Sequence, residues 1–421
     1  MADKYWQGGA AAVANEWRAT PANVEVGDVF TLTCAGVSVS FTATAATVAN
    51  VTAGLTAAWN ASTHPAHEEV TAVDDTTWVT LTADDAGNPV VIAGSATNGG
   101  ATDDQTLTVA EQTAATGPHH IDEPENWSGG SLPVDDDVIY IQTGTPEIYY
   151  GSLSTVDPSA LYIEEGVTIG LPDWHVDPDD VTSGYVEYRD THIPIGSASP
   201  GAYYIDQPAM CFLDVGTTQP VVYCKSISSE VTDGAAVQIT GSGSGIEIHL
   251  ESGRFWTDKA TTVANIGRQN NTVGTTTVAE LEGSNATVTC YQGDAYTASP
   301  STKLVVSGED ARVHFTGGAA CPLGVAANGG EIVMENAAPI HVLVSDFTAL
   351  HILPGSTLTC AEPNLSCAVD TLHLYKTCEV YDPHGVLDCT NDIELEQCTL
   401  ADITFRSAAD QNFDYNQYAG A

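Results

Sequence analysis

The first pattern along the chain is an alternation of apolar and polar side chains with a period of two. It covers residues 30–34 and 37–42, which an Ala-Gly pair separates, and it predicts a β-hairpin. The period then changes to that of an amphipathic helix, and Pro65 ends the helical pattern. The apolar stripe of this predicted helix consists of Val48, Val51, Leu55 and Trp59.

Two further strands are predicted after the helix, at residues 77–82 and 89–93, with an acidic, glycine-containing turn between them. The order strand, strand, helix, strand, strand (ββαββ) indicates a small α/β domain over residues 20–112, in which one helix packs on a sheet. Residues 113–125 are interpreted as the linker that leaves this domain.

From residue 126 onward the helical period does not return, and short strands recur between Gly, Asn and Asp residues. The intervals between these strands leave no room for crossover helices. This quasi-periodic pattern favours a β-solenoid over residues 126–405, of the right-handed β-helix type, with a C-terminal tail at residues 406–421. The fold class is therefore expected to be mainly β, and tandem β-sandwiches are the alternative.

The N-terminal segment, residues 1–19, carries three large aromatic side chains among small and polar residues: Tyr5, Trp6 and Trp17. The segment has too little apolar content to fold alone, so these aromatics need a surface on which to pack. That surface belongs either to the rest of the chain or to a neighbouring subunit, where aromatic side chains often carry binding energy. We therefore interpret residues 1–19 as an anchoring segment and the three aromatics as a candidate assembly interface.

The charge of the chain is strongly negative, with 55 acidic and 11 basic residues and a formal net charge of −44 at pH 7. Such a field repels phosphate groups and anionic lipids, so neither a nucleic acid nor a membrane is expected as a partner. The first residues lack the basic and apolar regions of a secretory signal, which predicts synthesis in the cytoplasm. In that compartment the ten cysteines are expected to be reduced thiols that act as small core hydrophobes.

Candidate catalytic and metal-binding groups are sparse. His119 and His120 precede two acidic residues, but adjacent side chains on an extended segment point to opposite sides, so we interpret them as linker polarity. His64 and His67 follow the predicted helix and are interpreted as part of a solvated loop. No catalytic residue, no metal site and no cofactor is predicted.

Two acidic runs, residues 135–137 and 177–180, offer oxygen ligands for Ca²⁺. Neither has the spacing of an EF-hand loop, so we interpret both as solvated turns, with a structural cation as the alternative. Carboxylate pairs that cleave glycosidic bonds lie about 5–10 Å apart, and nothing in this acidic chain singles out one pair. Phe255 and Trp256 are the main aromatics with which the solenoid could line a sugar groove.

Several segments resemble parts of known structural proteins. The stretch NWSGGSLPVDDD at residues 126–137 is similar to the start of right-handed β-helices in bacterial surface and phage proteins. Another resemblance is to a small domain that recurs in phage structural proteins; it is carried by the segments at 22–33, 41–45, 51–55, 79–84 and 86–89. Together these segments resemble tailed-bacteriophage virion structural proteins with a small N-terminal α/β domain followed by a right-handed β-helix-like region.

This resemblance implies a non-enzymatic structural protein on the exterior of a tailed-phage virion, most simply in capsid decoration, or else as a tail or fibre component. It also implies assembly through the N-terminal region with other virion proteins, such as a major capsid or tail protein, in a homo-oligomer or multi-copy array. The expected location is the virion surface, after synthesis in the host cytoplasm. Two functions of other classes stay open, a tailspike-type polysaccharide depolymerase and a cell-surface adhesion module.

Overall fold

A computed structural model shows a mainly β fold, in which a small α/β domain accompanies a parallel β-solenoid. The structure describes residues 2–171, 186–196, 201–225, 236–242, 244–266, 278–284, 287–290, 293–297, 303–307, 311–315, 325–328, 331–334, 340–352, 357–359, 367–382, 387–396 and 398–406. Within these ranges, no helix combines the length and the apolar character that a membrane crossing requires. The predicted fold class, mainly β with a solenoid after a small α/β domain, is confirmed.

The small domain follows the first strand of the chain, Asp3–Tyr5 (β1), which itself belongs to the solenoid. Its elements are Glu16–Ala22 (β2), Val29–Cys34 (β3), Val37–Thr42 (β4), Val48–Asn60 (α1), Pro65–Glu68 (α2), Val70–Asp74 (β5), Val79–Ala83 (β6), Ile92–Thr97 (β7) and Thr106–Thr113 (β8). The strands form two antiparallel sheets, with the orders β5-β6-β2-β8 and β4-β3-β7.

Helix α1 packs the predicted apolar stripe into the core of this domain. Val51, Leu55 and Trp59 are fully buried. Thr47 precedes the helix, and its hydroxyl accepts the backbone N–H of Asn50 at 3.3 Å, which satisfies one of the unpaired donors of the first turn. The indole N–H of Trp59 donates to a backbone carbonyl of β5 at 2.7 Å, so this large side chain is buried without an unpaired polar atom.

The predicted order ββαββ is incomplete, because β2, β5 and β8 also belong to the domain. Strand β2 crosses the boundary predicted at residue 19, and β8 crosses the one predicted at residue 112. Strand β8 lies at a sheet edge and buries only Leu107, so its sequence lacks a strong alternation. Pro65 begins helix α2 rather than only ending the preceding pattern, since proline is favoured in the first turn of a helix.

The solenoid consists of short strands that pair in parallel with strands of neighbouring turns. Its strands after β1 are Val138–Ile141 (β9), Ala160–Ile163 (β10), Thr168–Ile169 (β11), Ile193–Pro194 (β12), Ala202–Asp206 (β13), Met210–Asp214 (β14), Val221–Lys225 (β15), Val237–Thr240 (β16), Ser244–Ile266 (β17), Val278–Ser284 (β18), Thr287–Cys290 (β19), Gly293–Thr297 (β20), Lys303–Ser307 (β21), Ala311–Phe315 (β22), Val325–Asn328 (β23), Glu331–Met334 (β24), Ile340–Ile352 (β25), Thr357–Thr359 (β26), Cys367–Tyr375 (β27), Glu379–Tyr381 (β28), Leu387–Glu396 (β29) and Thr404–Arg406 (β30). Short 3-10 turns lie at Pro124–Asn126 and Leu400–Asp402.

The strand register stacks equivalent residues of successive turns into columns. Strands β9, β10, β13, β15 and β17 pair in this way, and two columns of their residues point into the core and are buried. The first inward column is Ile139, Leu161, Tyr203, Val222 and Ile248, and the second is Ile141, Ile163, Ile205, Cys224 and Leu250. Since side chains alternate along a strand, the residue between the two inward positions points outward in each turn.

The start of the chain forms the first layer of this stack. Strand β1 pairs in parallel with β9, and Trp6, which follows it, is 1% exposed within the solenoid core. The Trp6 ring meets that of Trp127 edge-on, with 5.3 Å between centroids. The buried side chain of Asn126 accepts the backbone N–H of Ala10 at 2.8 Å and donates to the carbonyl of His120 at 2.8 Å. The N-terminal segment is thereby built into the end of the solenoid.

Cysteines take small apolar positions in the described part of the chain. Cys224 lies between Ile205 and Leu250 in the second inward column, and Cys34 and Cys211 are also buried. Burial raises the pKa of the Cys224 thiol, which suppresses the reactive thiolate. Among the described residues these cysteines are free thiols, in agreement with their expected role as core hydrophobes.

Candidate functional site

An outward-facing column of stacked aromatic rings lies between the two inward columns of the solenoid. In β9, β10, β13 and β15 a tyrosine is the residue between the inward positions, and β1 and β17 place an aromatic ring at the same register. The members, in order along the solenoid, are Tyr5, Tyr140, Tyr162, Tyr204, Tyr223 and His249. We call this set the aromatic column.

Successive rings of the aromatic column are in face-to-face contact. The centroid distances, in order, are 4.8, 5.0, 4.6, 5.1 and 4.7 Å, and the interplanar angles lie between 7° and 13°. Neighbouring strands are about 4.7–4.9 Å apart, so the backbone sets nearly the separation at which aromatic rings attract each other. Each ring pair contributes about 0.5–1.5 kcal/mol beyond the burial of its surface.

The aromatic column presents ring edges and hydroxyl groups to solvent, because each ring covers the face of its neighbour. Tyr204 and Tyr223 are 37% and 42% exposed. Desolvation and the nearby Asp3 carboxylate raise the pKa of Tyr140, which keeps its hydroxyl protonated. At the end of the column, His249 Nε2 lies 2.7 Å from a carboxylate oxygen of Glu247. The column can therefore offer hydrogen bonds along its length, but not the open ring faces on which a sugar stacks.

Two of the three aromatics predicted as an assembly interface, Tyr5 at the end of β1 and Trp6 directly after it, point to opposite sides. Tyr5 belongs to the aromatic column and stacks on Tyr140. Trp6 turns into the solenoid core, where its indole N–H donates to the carbonyl of Pro146 at 2.9 Å. The surface on which both side chains pack therefore belongs to the chain itself, which was one of the two expected alternatives.

The third predicted residue, Trp17, lies in strand β2 and packs against the core of the small domain. Its indole N–H is shared between the side-chain oxygen of Asn15, at 2.7 Å, and the carbonyl of Val90, at 2.9 Å. Trp17 and Trp6 thus belong to different cores. Their role in assembly stays a prediction.

Sequence reasoning missed the aromatic column, although each contributing strand after β1 carries the same local signal. The signal is a triplet in which an aromatic residue stands between two inward apolar or aromatic residues. The triplets are Ile139-Tyr140-Ile141, Leu161-Tyr162-Ile163, Tyr203-Tyr204-Ile205, Val222-Tyr223-Cys224 and Ile248-His249-Leu250. An alignment of these triplets, instead of a fixed repeat length, would have indicated the column.

Segment 186–190 joins the solenoid to the small domain by side-chain packing. Val186 and Tyr188 pack against the small-domain core. The carboxylate of Glu69 accepts the backbone N–H of Val186 at 3.0 Å, and the Tyr188 hydroxyl lies 3.8 Å from Cys34 Sγ. Burial raises the pKa of both Glu69 and Tyr188.

The histidines weighed as metal ligands have separate protein partners. His119 and His120 each lie 2.8 Å from a backbone carbonyl, on two different segments, as expected for adjacent side chains that point apart. The interpretation of a solvated loop is wrong for His67, which is 3% exposed. Its ring packs on Trp59 with 4.4 Å between centroids, and its Nδ1 lies 2.7 Å from the Ser62 hydroxyl.

The acidic run at residues 135–137 is part of a structured turn. Asp137 is 2% exposed, and its carboxylate accepts the backbone N–H groups of Ala2, at 2.6 Å, and Val134, at 3.2 Å. The interpretation as a solvated turn is therefore wrong for Asp137. The other run, 177–180, lies outside the described residues. Phe255 is fully buried and so cannot line a sugar groove.

A mixed cluster of His and Glu side chains lies on the outward surface of later turns. One donor atom from each of His373, Glu394 and Glu396 falls within 4.8 Å of the others. Within the described ranges this is the grouping of three donors whose geometry could hold a metal ion. No metal site was expected from the sequence, because these residues meet only through the stacking of separate strands, β27 and β29.

In comparisons with protein-family models, with curated proteins and with solved structures, nothing matches this chain. The features that bear on its function are the aromatic column, the junction and the cluster of His and Glu side chains.

Proposed function

We propose that the protein is a non-enzymatic structural component of the exterior of a tailed-phage virion, most simply a capsid decoration protein, or else a tail or fibre component. The aromatic column is the observation that carries this proposal. It begins at Tyr5, close to the start of the chain, and continues turn by turn to His249. A continuous stack of this kind serves a rigid spacer.

Stiffness follows from three kinds of contact that repeat at every turn. Backbone hydrogen bonds join parallel strands, inward columns bury aliphatic side chains, and the aromatic column adds face-to-face ring contacts on the outside. In a solenoid each turn contacts mainly its neighbours, so resistance to bending depends on the quality of these local contacts. A stack reinforced on both faces suits a rod that projects from, or lies along, a particle surface.

The phage assignment is supported by the resemblance of segments 22–33 and 126–137 to phage structural proteins. We propose assembly through the N-terminal region with a major capsid or tail protein, in a homo-oligomer or multi-copy array. Because Trp6 is a core residue, the folded surface of the small domain is a better candidate for contact than a free peptide. Val26 and Val91, which are 58% and 67% exposed, lie on that surface.

The acidic character of the chain fits a multi-copy surface role. A net charge of −44 makes neighbouring copies repel each other and limits non-specific adhesion to other acidic molecules. Correct assembly then depends on a specific contact surface strong enough to overcome this repulsion.

Immunogold labelling of purified tailed-phage particles, with antibodies raised against the recombinant protein, tests the proposal. We expect labels on intact particles and none on the host cell surface. Labels confined to host cells would instead identify an adhesion module. Release of reducing ends from host capsule or lipopolysaccharide by the pure protein would identify a depolymerase and overturn the non-enzymatic role.

Two exposed valines give a matched pair for the assembly surface. Val91→Glu changes the small domain, and Val134→Glu, at a residue that is 61% exposed, makes the same change in the solenoid. We expect Val91→Glu to reduce loading onto particles that lack the protein, and Val134→Glu to load normally, as measured by co-sedimentation. Equal loading of both variants would show that the contact does not use this face of the small domain.

A further inference from the structure

Three strands of the solenoid bring histidines and glutamates into one outward column. Strands β25, β27 and β29 pair in parallel, with His351 opposite His373 and His373 opposite Glu394. Glu396 is two residues beyond Glu394 and therefore points to the same side of β29. We call these four residues the His–Glu cluster.

In the His–Glu cluster, one ring nitrogen of His373 is equally distant from two carboxylates. His373 Nδ1 lies 3.2 Å from a carboxylate oxygen of Glu394 and 3.2 Å from one of Glu396. One N–H group can point directly at only one acceptor, and charge-assisted hydrogen bonds of this type are about 2.7–2.9 Å long. The contact with Glu396 has the geometry of a hydrogen bond, and the two equal distances, at the long end of the hydrogen-bond range, also fit an imidazole nitrogen and two carboxylate oxygens around a common centre.

These separations match the ligand shell of a small transition-metal ion. Zn²⁺ binds His nitrogen and carboxylate oxygen at about 2.0–2.2 Å, which places two ligands of a tetrahedron about 3.3–3.5 Å apart. The two His373 distances are close to this value, and the three donor atoms lie within 4.8 Å of one another. Glu394 and Glu396 are 49% and 36% exposed, so small side-chain rotations can close the remaining distance.

His351 supports the cluster without being a ligand. Its ring stacks on that of His373, with 4.0 Å between centroids and 6° between planes. Parallel rings direct their in-plane lone pairs along parallel lines, so both cannot aim at one ion. The contact instead fixes the plane of the His373 ring.

The donor set also restricts the class of ion. Imidazole nitrogen suits Zn²⁺ and neighbouring transition metals, whereas Ca²⁺ and Mg²⁺ prefer shells made only of oxygen. Two adjacent carboxylates repel each other, and a divalent cation offsets this repulsion. Three protein ligands leave one tetrahedral position for water or for a donor from a second molecule.

We propose that the His–Glu cluster binds a divalent transition-metal ion, represented by Zn²⁺, through His373, Glu394 and Glu396, with His351 as a positioning residue. This site does not depend on the structural role proposed above, and either can fail without the other.

Calorimetric titration of the full-length, chelator-treated protein with ZnCl₂ tests the site. We expect one site per chain, with affinity reduced more than about tenfold in His373→Phe and in Glu396→Gln. Phenylalanine keeps a ring that can stack on His351 while it removes the nitrogen ligand. Glutamine keeps the shape of glutamate while it removes the charge.

The matched controls are His249→Phe and Glu247→Gln. His249 also stacks on a ring of the preceding turn, at 4.7 Å, and also contacts a glutamate, but with a single carboxylate at 2.7 Å. Both controls should leave Zn²⁺ affinity unchanged. Circular dichroism of each variant verifies the fold, and Co²⁺ absorption bands of the wild-type protein report the ligand geometry independently of any variant.

Three outcomes would overturn the proposal. The first is the absence of stoichiometric Zn²⁺ binding and of Co²⁺ bands in the wild-type protein. The second is Zn²⁺ binding that survives His373→Phe in a folded variant. The third is competition by Ca²⁺ at equal affinity, which would show carboxylate binding without the imidazole.

Discussion

The two outward columns of the solenoid arise from the same parallel stacking of strands but differ in chemistry. In the aromatic column, rings recur at each turn and stack along the rod. In the His–Glu cluster, a stacked His pair is followed by two carboxylates that converge on one nitrogen. Parallel strands place equivalent side chains about 4.7–4.9 Å apart whatever their type, so the residue chosen at each turn decides whether a column supports the rod or gathers ligands.

The difference also shows what limits repetition along a column. Tyrosine is uncharged at neutral pH and can recur at every turn, because neighbouring rings attract each other. Glutamate cannot recur in the same way, since like charges opposite each other on paired strands are destabilising. Glu394 and Glu396 lie on one strand, and His373 of the paired strand contacts both carboxylates.

The largest expected loss of stability comes from a substitution in the solenoid core, on which both columns depend. Trp6→Ala removes a fully buried ring from the N-terminal end of the solenoid, and we expect it to lower the free energy of unfolding by about 3–5 kcal/mol. Urea denaturation followed by circular dichroism measures this loss. Tyr5→Ala, at the adjacent outward position, removes one ring contact that contributes about 0.5–1.5 kcal/mol, together with the partial burial of the ring, and should cost less than Trp6→Ala.

Equal effects of Trp6→Ala and Tyr5→Ala would contradict the placement of Trp6 in the core. A normal stability of Trp6→Ala combined with lost particle assembly would return Trp6 to the role of a free anchor.

A loss of stability of intermediate size is expected from a substitution inside the aromatic column. Tyr162 stacks on a ring at each side, so Tyr162→Ala loses two contacts that together contribute about 1–3 kcal/mol, as well as the partial burial of the ring, and should lower the free energy of unfolding by at least this amount. Tyr162→Phe retains both ring contacts and serves as the control, with stability close to that of the wild type. A similar loss in both variants would mean that the hydroxyl, and not the stacking, stabilises the column.

In the small domain, the sequence predicts those elements that bury one face and therefore show a regular period of apolar residues. Val51, Leu55 and Trp59 follow the helical period because one face of α1 meets the sheets, and they are buried as predicted. Edge strand β8 escapes prediction because it contributes only Leu107 to the core. Strand β1 escapes prediction because three residues are too few to show a period, so the sequence indicated that Trp6 needs a packing surface but not that this surface is the solenoid core.

The solenoid is predictable as a class but its columns are not. Short strands between turn residues indicate stacking turns, yet the register depends on the length of each loop, and these lengths vary along the chain. Tyr140 and Tyr162 are separated by a shorter interval than Tyr162 and Tyr204, so no fixed repeat aligns them. His373 and Glu394 meet for the same reason, through a strand register that local sequence does not encode.

The smallest expected effects on the free energy of unfolding come from placing a tyrosine at a histidine position of each column. His249→Tyr extends the run of tyrosines by one ring and removes a partly exposed contact with Glu247, so we expect stability to change by less than about 1 kcal/mol. His373→Tyr should likewise keep a ring stacked on His351 and leave metal-free stability within about 1 kcal/mol, but abolish Zn²⁺ binding. Denaturation and calorimetry on the same two samples measure both quantities. If His249→Tyr instead abolished Zn²⁺ binding, or His373→Tyr retained it, the two columns would not divide support and ligand binding as their geometry indicates.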